Sequence, residues 1–292
     1  LSNKYIINNN YISIIEENMS KIDWKMVDIT SLASQLVYMK GSKGEVKHKQ
    51  IINWRNFPEA LMFNIDDAQG FVARLDDTTV IISFRGTEPR IASDIIADLK
   101  TWQVDSETIG DVHSGFKQEL DKLYPDVSKW VFGKNVSKKR DTIILTGHSL
   151  GAAMASICAT RLNTEGYKVK LYTYGSPRVG DSDWATLFES DLDSELDHKC
   201  HACGQDTNKI EHYRFQNNQD LIPAIPPLGT FTHVGKLYYV DYAGEILTNT
   251  TFISRLIDRF RSMFRAIMKL ERFDSMYDHN IKQYRRRVCK HV

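Results

Sequence analysis

The pattern Gly-x-Ser-x-Gly at residues 147–151 constrains the fold of this chain more than any other feature of its sequence. It stands between an apolar run, 142–145, and a helix-forming stretch that begins at Gly151, which together predict a strand, a sharp turn and a helix. A Cβ atom at either glycine would crowd the backbone of such a turn, and the hydroxyl of Ser149 would be exposed on it. Ordinary turns also carry this pattern, but the flanks favour Ser149 as a nucleophile beside a helix N-terminus, where a negative oxygen is stabilised.

Apolar runs and helical patterns alternate along the rest of the chain. Strands are predicted at 70–75, 79–84, 142–145, 169–174, 212–215 and 236–240, and a helix is predicted over 24–39. This alternation indicates an α/β fold with a mostly parallel central sheet flanked by helices. A chain of 292 residues with 42% apolar content fits one domain over 1–292. A polar N-terminal segment, 1–20, and a polar insertion, 189–208, are expected on its surface.

The charge distribution argues against one class of partner. A net charge of +1 does not fit a nucleic-acid-binding protein, which needs a basic surface to displace counterions from phosphates. From Arg255 to Lys290, however, eleven Lys and Arg stand against four Asp and Glu, a net of +7 that leaves −6 for the remainder. No apolar run approaches the roughly 20 residues that span a bilayer, so any membrane contact is expected to be peripheral. The oligomeric state is left open.

Cysteine and histidine residues suggest a metal site only weakly. The segment His198, Cys200, His201 and Cys203 has residue types that bind zinc. No second pair of ligands stands at a suitable spacing, so free thiols or a local disulfide are the simpler interpretation, and no cofactor is expected.

The sequence leaves the cellular location open and leans towards a secreted protein. Three Asn-x-Ser/Thr sequons, at Asn18, Asn135 and Asn249, fit that location, although an Asn-rich chain also produces them by chance. The chain starts at Leu1, so the removal of a signal peptide would leave no trace in it.

A serine nucleophile needs a histidine base, and the base needs a carboxylate that holds its tautomer. Downstream of Ser149, histidines stand at positions 198, 201, 212, 233, 279 and 291. The first two lie in the polar insertion, His212 lies in a predicted strand, and His291 is expected at a frayed end. These arguments leave His233 and His279 as candidates for the base.

Six motifs follow one another along the chain. They are Phe84-Arg85-Gly86-Thr87, His113-Ser114-Gly115-Phe116, Gly147-His148-Ser149-Leu150-Gly151, Tyr174-Gly175-Ser176-Pro177-Arg178-Val179-Gly180, Asp220-Leu221-Ile222-Pro223 with Pro226-Pro227, and Asp278-His279. In content and order they resemble the successive signatures of the class 3 lipase family, over roughly residues 24 to 285. The resemblance implies an α/β-hydrolase fold with a helical lid.

The resemblance also assigns the reacting groups. It implies Ser149 as the nucleophile, Asp220 as the acid and His279 as the base. Asp220 follows a predicted strand and precedes a Pro-containing turn, where this fold carries its acid. The rival acid, Asp181, fits a helix N-cap, and the rival base is His233.

An oxyanion hole needs two hydrogen-bond donors. One is expected to be the backbone N–H of Leu150, the residue after the nucleophile. The resemblance implies Thr87 as the other donor. Arg85, beside it, is expected to be structural and to pair with a buried carboxylate.

A segment at 88–105 carries apolar residues at helical spacing. They are Ile91, Ile95, Ile96, Leu99 and Trp102. In class 3 lipases the lid lies here, so the resemblance implies a putative lid that covers Ser149 in water and turns its apolar face to lipid. An ordinary surface helix packed on the core is the alternative.

A second amphipathic helix is predicted over 252–272. Its apolar side holds Ile253, Leu256, Ile257, Phe260, Phe264, Ile267 and Met268, and its basic residues are Arg255, Arg259, Arg261, Arg265 and Lys269. The expected arrangement packs the apolar side on the core and leaves the basic side in water. The alternative is a basic helix that holds the active-site face against anionic lipid headgroups.

The predicted reaction is hydrolysis of a carboxylic ester of an acylglycerol lipid through an acyl-enzyme. The substrate would be met at an interface, such as a membrane surface or a lipid droplet. Phospholipase A1 action on glycerophospholipids, an esterase for soluble esters and a non-catalytic lipid-binding or scaffold protein are the alternatives. The presence of Ser149, Asp220 and His279 together argues against the last of these.

Overall fold

The computed structural model describes residues 22–38, 60–86, 102–188, 210–226, 229–248, 250–268 and 278–291, without the side chains of 134–135 and 263–268. The polar segment 1–20, the insertion 189–208 with the candidate metal ligands His198, Cys200, His201 and Cys203, and most of the putative lid lie outside the described residues. Within them, no three His, Cys, Asp or Glu side chains come together as metal ligands do.

The described residues form ten strands, and eight of them make up one central sheet. In chain order the strands are β1 (Ala60–Ile65), β2 (Ala68–Asp76), β3 (Thr79–Phe84), β4 (Gln103–Asp105), β5 (Asp111–His113), β6 (Thr142–His148), β7 (Lys168–Tyr174), β8 (Glu211–Asn217), β9 (Lys236–Val240) and β10 (Ile246–Leu247). The central sheet has the order β1-β2-β3-β6-β7-β8-β9-β10, and β4 and β5 form a separate pair. Strands β3, β6, β7, β8 and β9 run parallel, so their carboxyl ends share one edge.

Six helices accompany the strands within the described residues. They are α1 (Trp24–Leu36), α2 (Ser114–Trp130), α3 (Leu150–Thr164), α4 (Ser182–Ala185), α5 (Phe252–Met268) and α6 (Ile281–Val288). A π-helical turn, Val131–Asn135, follows α2, and 3₁₀ turns occupy Ile222–Ala224 and Cys289–His291. None of the described helices combines the length and apolar content needed to cross a membrane.

Both faces of the central sheet are buried, as the alternation along its strands requires. In β6, Ile143 and Leu145 belong to one apolar cluster with residues of α2 and α3, whereas Ile144 belongs to a second cluster with residues of α1 and α6. Successive side chains of a strand point to opposite faces. In a parallel sheet covered on both faces, the sequence of each strand is therefore a continuous apolar run. This explains why the central strands were predictable from sequence.

All six predicted strands are present, but several of their ends differ from the prediction. Strand β6 continues through Thr146 to His148 and β8 continues to Asn217, because backbone pairing extends beyond the apolar run. The edge strand β1 was missed, although five of its six residues are apolar; Phe63 is the one that it buries. The expected frayed end at His291 is wrong: its ring packs against Trp24 with centroids 5.3 Å apart.

Helix α5 is turned over relative to the expectation. Five apolar side chains on it are exposed: Phe252, Ile253, Leu256, Ile257 and Phe260. Among the described side chains of 252–262, the buried one is Asp258, which accepts hydrogen bonds from the Tyr239 hydroxyl (2.9 Å) and the Tyr242 backbone N–H (3.3 Å). The prediction that the apolar side packs on the core is therefore wrong for Ile253, Leu256, Ile257 and Phe260, whereas the side chains of Phe264, Ile267 and Met268 lie outside the described ones.

Several histidines are buried as neutral groups in the described part of the chain. Burial lowers the pKa of His113 to about 4 and holds the pKa values of His148, His212 and His233 well below their usual range. His212 lies in β8, within a predicted strand, and its Nε2 is 2.8 Å from the Thr173 hydroxyl oxygen.

These histidines predict acid lability. Each protonates near pH 6.5 in the unfolded chain but stays neutral in the folded one, so the unfolded state binds more protons. The free energy of unfolding should fall as the pH drops below about 6.5, by up to about 1.4 kcal/mol per pH unit for each histidine. Urea unfolding at about pH 7.5 and about pH 5 measures the slope, and His212→Gln should make it shallower. An unchanged slope in that variant would contradict the assignment.

Candidate active site

Ser149 occupies a sharp turn between β6 and α3. Its backbone angles are φ 59° and ψ −128°, a region that non-glycine residues seldom adopt. A Cβ at Gly147 would lie 2.2 Å from the Gly151 carbonyl oxygen, and a Cβ at Gly151 would lie 2.3 Å from that of Phe84. Only glycine fits where strand β6, its helix and the neighbouring β3 meet, as the sequence pattern predicts.

A chain of hydrogen bonds joins Ser149 to a histidine and a carboxylate. His279 Nε2 lies 2.9 Å from the Ser149 Oγ, and His279 Nδ1 lies 2.9 Å from the Asp220 Oδ2. A carboxylate accepts hydrogen bonds, so Nδ1–H donates to it and Nε2 is left to accept the serine proton. All three side chains are buried. The arrangement has the geometry of a nucleophile, a base and an acid.

Asp220 is held by donors from three directions. It follows β8 in the chain, where its Oδ1 accepts a hydrogen bond from the Ile222 backbone N–H at 2.9 Å. Its Oδ2 accepts a second bond from the Tyr284 hydroxyl of α6 at 2.5 Å. That hydroxyl in turn accepts a bond from the Asn217 backbone N–H at 3.0 Å. Helix α6 therefore fixes the carboxylate as well as following His279 in the chain.

A second buried histidine, His148, is hydrogen-bonded to the backbone of His279. Its Nε2 donates to the His279 carbonyl oxygen at 2.5 Å, which leaves Nδ1 to accept from the Tyr38 hydroxyl at 2.9 Å. Burial keeps its pKa well below the usual range, and the nearby His279 lowers it further. Neutral His148 thus anchors the backbone of His279. Its position inside the Gly-x-Ser-x-Gly pattern was visible in the sequence, but nothing there indicated the contact.

The rival candidates are engaged elsewhere. Asp181 caps α4 through a 2.8 Å bond from the Trp184 backbone N–H, which confirms the N-cap prediction. His233 Nε2 lies 2.7 Å from the Pro223 carbonyl oxygen and donates to it. The Tyr284 and Tyr38 hydroxyls, by contrast, were not found by sequence reasoning, because no motif marks a tyrosine that contacts the site from α6 or from just after α1.

The loop after Asp220 is tied to the loop after β7 by a buried arginine. The Arg178 Nη1 donates to the carbonyl oxygens of Ala224 at 2.5 Å and Pro226 at 2.6 Å. The Ser-Pro-Arg stretch thus has a structural use, because its arginine fixes the segment that follows the acid.

Part of the expected oxyanion hole can be placed. Leu150 is the first residue of α3, and the first N–H groups of an α-helix have no acceptor within it. Thr87 lies outside the described residues, but Gly86 before it lies beside the elbow, where an added Cβ would be 3.2 Å from the Gly151 backbone nitrogen. In the described part of the chain, Arg85 contacts the Gln69 side-chain oxygen and the Tyr38 ring; a carboxylate partner for it stays a prediction.

The putative lid is described only at its end. Ile91, Ile95, Ile96 and Leu99 lie outside the described residues. Trp102 is 61% exposed, just before β4, so it is not packed into the core. The lid stays a prediction.

Gly175 provides a test of how closely the site is packed. It has φ +60°, and a Cβ there would lie 2.7 Å from the Asp220 Oδ2 and 3.1 Å from the His279 Nδ1. We expect Gly175→Ala to lower the free energy of unfolding by about 1–3 kcal/mol. Gly133→Ala is the control, because no atom lies within 4 Å of its added Cβ, and it should change stability by less than about 1 kcal/mol. Equal effects in urea unfolding would contradict the packing described.

Comparison with known proteins identifies relatives of this chain. It is 27% identical over 213 residues to a secreted mono- and diacylglycerol lipase A of Penicillium camembertii, covering 66% of this chain and 58% of the relative. It is 34% identical over 113 residues to phospholipase A1-II 1 of Oryza sativa subsp. japonica, covering 37% of this chain and 22% of the relative. The chain thus spans less than two thirds of the length of these relatives.

A solved structure has the same fold. The lipase from Rhizopus microsporus var. chinensis superposes with a TM-score of 0.60 at 22% sequence identity, covering 90% of this chain and 86% of that one. This likeness supports the α/β-hydrolase fold inferred from the motifs.

A family model gives the assignment. The model for lipase (class 3) matches residues 81–230, which is just over half of the chain and includes the elbow at Ser149 and the loop of Asp220. With this match, and with five of the six motifs wholly or partly inside it, the chain belongs to the class 3 lipase family.

Proposed function

We propose that this protein is a serine-dependent carboxylic ester hydrolase that acts on acylglycerol lipids. The observation that carries the proposal is the buried hydrogen-bonded chain of Ser149, His279 and Asp220 at the turn between β6 and α3. A histidine nitrogen placed to accept the proton of a serine on a strained turn before a helix is the arrangement that acyl transfer needs.

In the proposed reaction, His279 Nε2 takes the Ser149 proton as Oγ attacks the ester carbonyl carbon. The resulting imidazolium is stabilised by Asp220, and the oxyanion accepts hydrogen bonds from Leu150 and Thr87. His279 then gives the proton to the leaving alcohol, and an acyl-enzyme remains. A water molecule activated by the same histidine releases the fatty acid.

The relatives support an acylglycerol as the substrate. The Penicillium relative is a mono- and diacylglycerol lipase, and it is secreted, which also supports an extracellular location for this protein. We infer that the substrate is met at a lipid surface rather than in solution.

Phospholipase A1 action is the second candidate. The match to the rice phospholipase A1 favours it, and so does the net charge of +7 between Arg255 and Lys290, since basic segments attract anionic headgroups. Both reactions use the same acyl-enzyme chemistry and differ in the group esterified to the glycerol. Soluble-ester hydrolysis and a non-catalytic lipid-binding role remain as lesser alternatives.

Fatty-acid release from emulsified triacylglycerol, diacylglycerol and phospholipid vesicles, measured side by side, tests the proposal. Ser149→Ala is the blank for each substrate, and we expect it to lower kcat by at least about 10³-fold. Its melting temperature should stay close to that of the wild type, because only a hydroxyl is lost. Fatty-acid release that does not depend on Ser149 would contradict the proposal. Release from phospholipid alone would favour phospholipase A1 action, the second candidate.

Paired alanine variants test the assigned partners. We expect His279→Ala and Asp220→Ala each to lower kcat by about 10³-fold or more. Their rivals, His233→Ala and Asp181→Ala, should stay within about tenfold of the wild type per folded molecule. Turnover of a short-chain soluble ester is the measurement, and a larger loss in either rival would mean that the partners are wrongly chosen.

Tyr284 is proposed as a positioning residue for Asp220. In Tyr284→Phe the carboxylate loses one of its donors but keeps its bond to His279. We expect kcat to fall about tenfold, equivalent to about 1.4 kcal/mol, with little change in KM. Tyr238→Phe removes a hydroxyl from another buried tyrosine and is the control. A shift of KM alone, or the same fall in the control, would argue for a merely structural role.

A further inference from the structure

Helix α5 has its two faces segregated unusually well. Successive residues of an α-helix are rotated by about 100°, which places Phe252, Ile253, Leu256, Ile257 and Phe260 on one continuous side. These side chains are between 41% and 67% exposed. They make up five of the eleven large apolar side chains that are exposed in the described part of the chain.

Polar contacts of Asp258 and Arg259 fix α5 to the protein. Asp258 accepts hydrogen bonds from Tyr239 and Tyr242, as described above. The Arg259 guanidinium donates to the carbonyl oxygens of Asn218 at 2.7 Å and Asp220 at 3.1 Å. The Gln219 side-chain amide donates back to the Arg259 carbonyl oxygen at 3.1 Å. These contacts hold the helix with its apolar side away from the sheet.

The contacts of Arg259 show where α5 lies relative to the active site. The Arg259 guanidinium contacts the backbone of Asp220, the residue that is hydrogen-bonded to His279. Helix α5 therefore lies against the loop that carries Asp220. Leu221, the next residue, is itself 52% exposed. An apolar side chain is therefore also exposed in the loop that Arg259 contacts.

Positive charge near the apolar side of α5 indicates which kind of partner would cover it. Arg261 is exposed and falls at the border of the apolar side of α5. The segment that begins with α5 carries the net charge of +7. A water-facing apolar side bordered by basic residues is typical of helices that lie in the plane of a membrane surface, and each basic residue near an anionic lipid surface adds to binding.

We propose that α5 is a docking helix for an anionic phospholipid surface. Its apolar side enters the boundary between headgroups and acyl chains, and Arg261 contacts lipid phosphates. This deepens the proposed function, because it names a lipid-contacting element distinct from the putative lid at 88–105. Since Arg259 connects α5 to the Asp220 loop, docking holds that edge of the active site against the lipid.

Vesicle flotation tests the proposal without any hydrolysis. Ser149→Ala protein is mixed with vesicles of phosphatidylcholine, with or without phosphatidylglycerol, and the bound fraction is measured. We expect binding to the anionic vesicles and at least about tenfold weaker binding when Ile253→Ser and Phe260→Ser are added, because exposed apolar area drives insertion. Arg261→Gln should weaken binding about fivefold, and only on the anionic vesicles.

The control removes a similar apolar area elsewhere. Leu61 of β1 and Phe132 of the π-helical turn are 45% and 47% exposed, and β1 forms the edge of the sheet opposite β9 and β10. Leu61→Ser with Phe132→Ser should bind vesicles as the parent does. Circular dichroism checks that all variants are folded.

Three results would overturn the proposal. The first is equal vesicle binding by the α5 variant and its parent. The second is equal binding to vesicles with and without phosphatidylglycerol, which would remove the anionic surface as the partner. The third is a dimer in analytical ultracentrifugation that the α5 variant converts to a monomer, with no vesicle binding by the parent, because the apolar side would then cover a second copy.

Failure of this proposal is distinguishable from failure of the proposed function. Turnover of a soluble short-chain ester depends on Ser149 and not on α5, so Ile253→Ser with Phe260→Ser should retain it. Lost turnover on vesicles with retained turnover of the soluble ester is the expected pattern. Absent turnover of every ester, with vesicle binding intact, would reject the hydrolase and leave the docking helix standing.

Discussion

The strained backbone at Ser149 is the constraint on which the rest of the site depends. Residues 147 and 151 must be glycines because β6, α3 and β3 approach within contact distance there. The parallel pairing of β6 with β3 and β7 fixes the position of this turn at the carboxyl edge of the sheet. Every other group in the site is arranged around an oxygen atom whose position is already set.

Around that atom, the polar groups form a closed and buried set. His279 bridges Ser149 and Asp220, Tyr284 supports the carboxylate, and neutral His148 supports the histidine backbone. Buried polar groups are costly unless they are hydrogen-bonded, so each member restricts the orientation of the next. Helices α1 and α6 pack together on one face of the sheet, and the outermost members are Tyr284 of α6 and Tyr38, which follows α1 in the chain.

Sequence patterns predicted the groups that carry chemistry better than those that position them. Ser149, Asp220 and His279 stand in recognisable motifs. The central strands are predictable because both faces of the sheet are covered, which makes these strands apolar along their length. Tyr284 and His148 act through contacts between elements distant in sequence, which no local pattern encodes. Helix α5 shows a further limit: its amphipathic pattern predicted two faces, but which face turns inward was decided by the hydrogen bonds of Asp258 and Arg259.

The hydrogen-bonded chain also has an order of assembly in time. Its histidine follows the serine by 130 positions and the aspartate by 59, and contacts so distant in sequence form late because loop closure must come first. A nascent chain that has emerged from the ribosome as far as β8 and the following loop carries Ser149 and Asp220 but lacks the residue that joins them. The proton relay is thus incomplete until the segment with His279 and α6 has been made and folded.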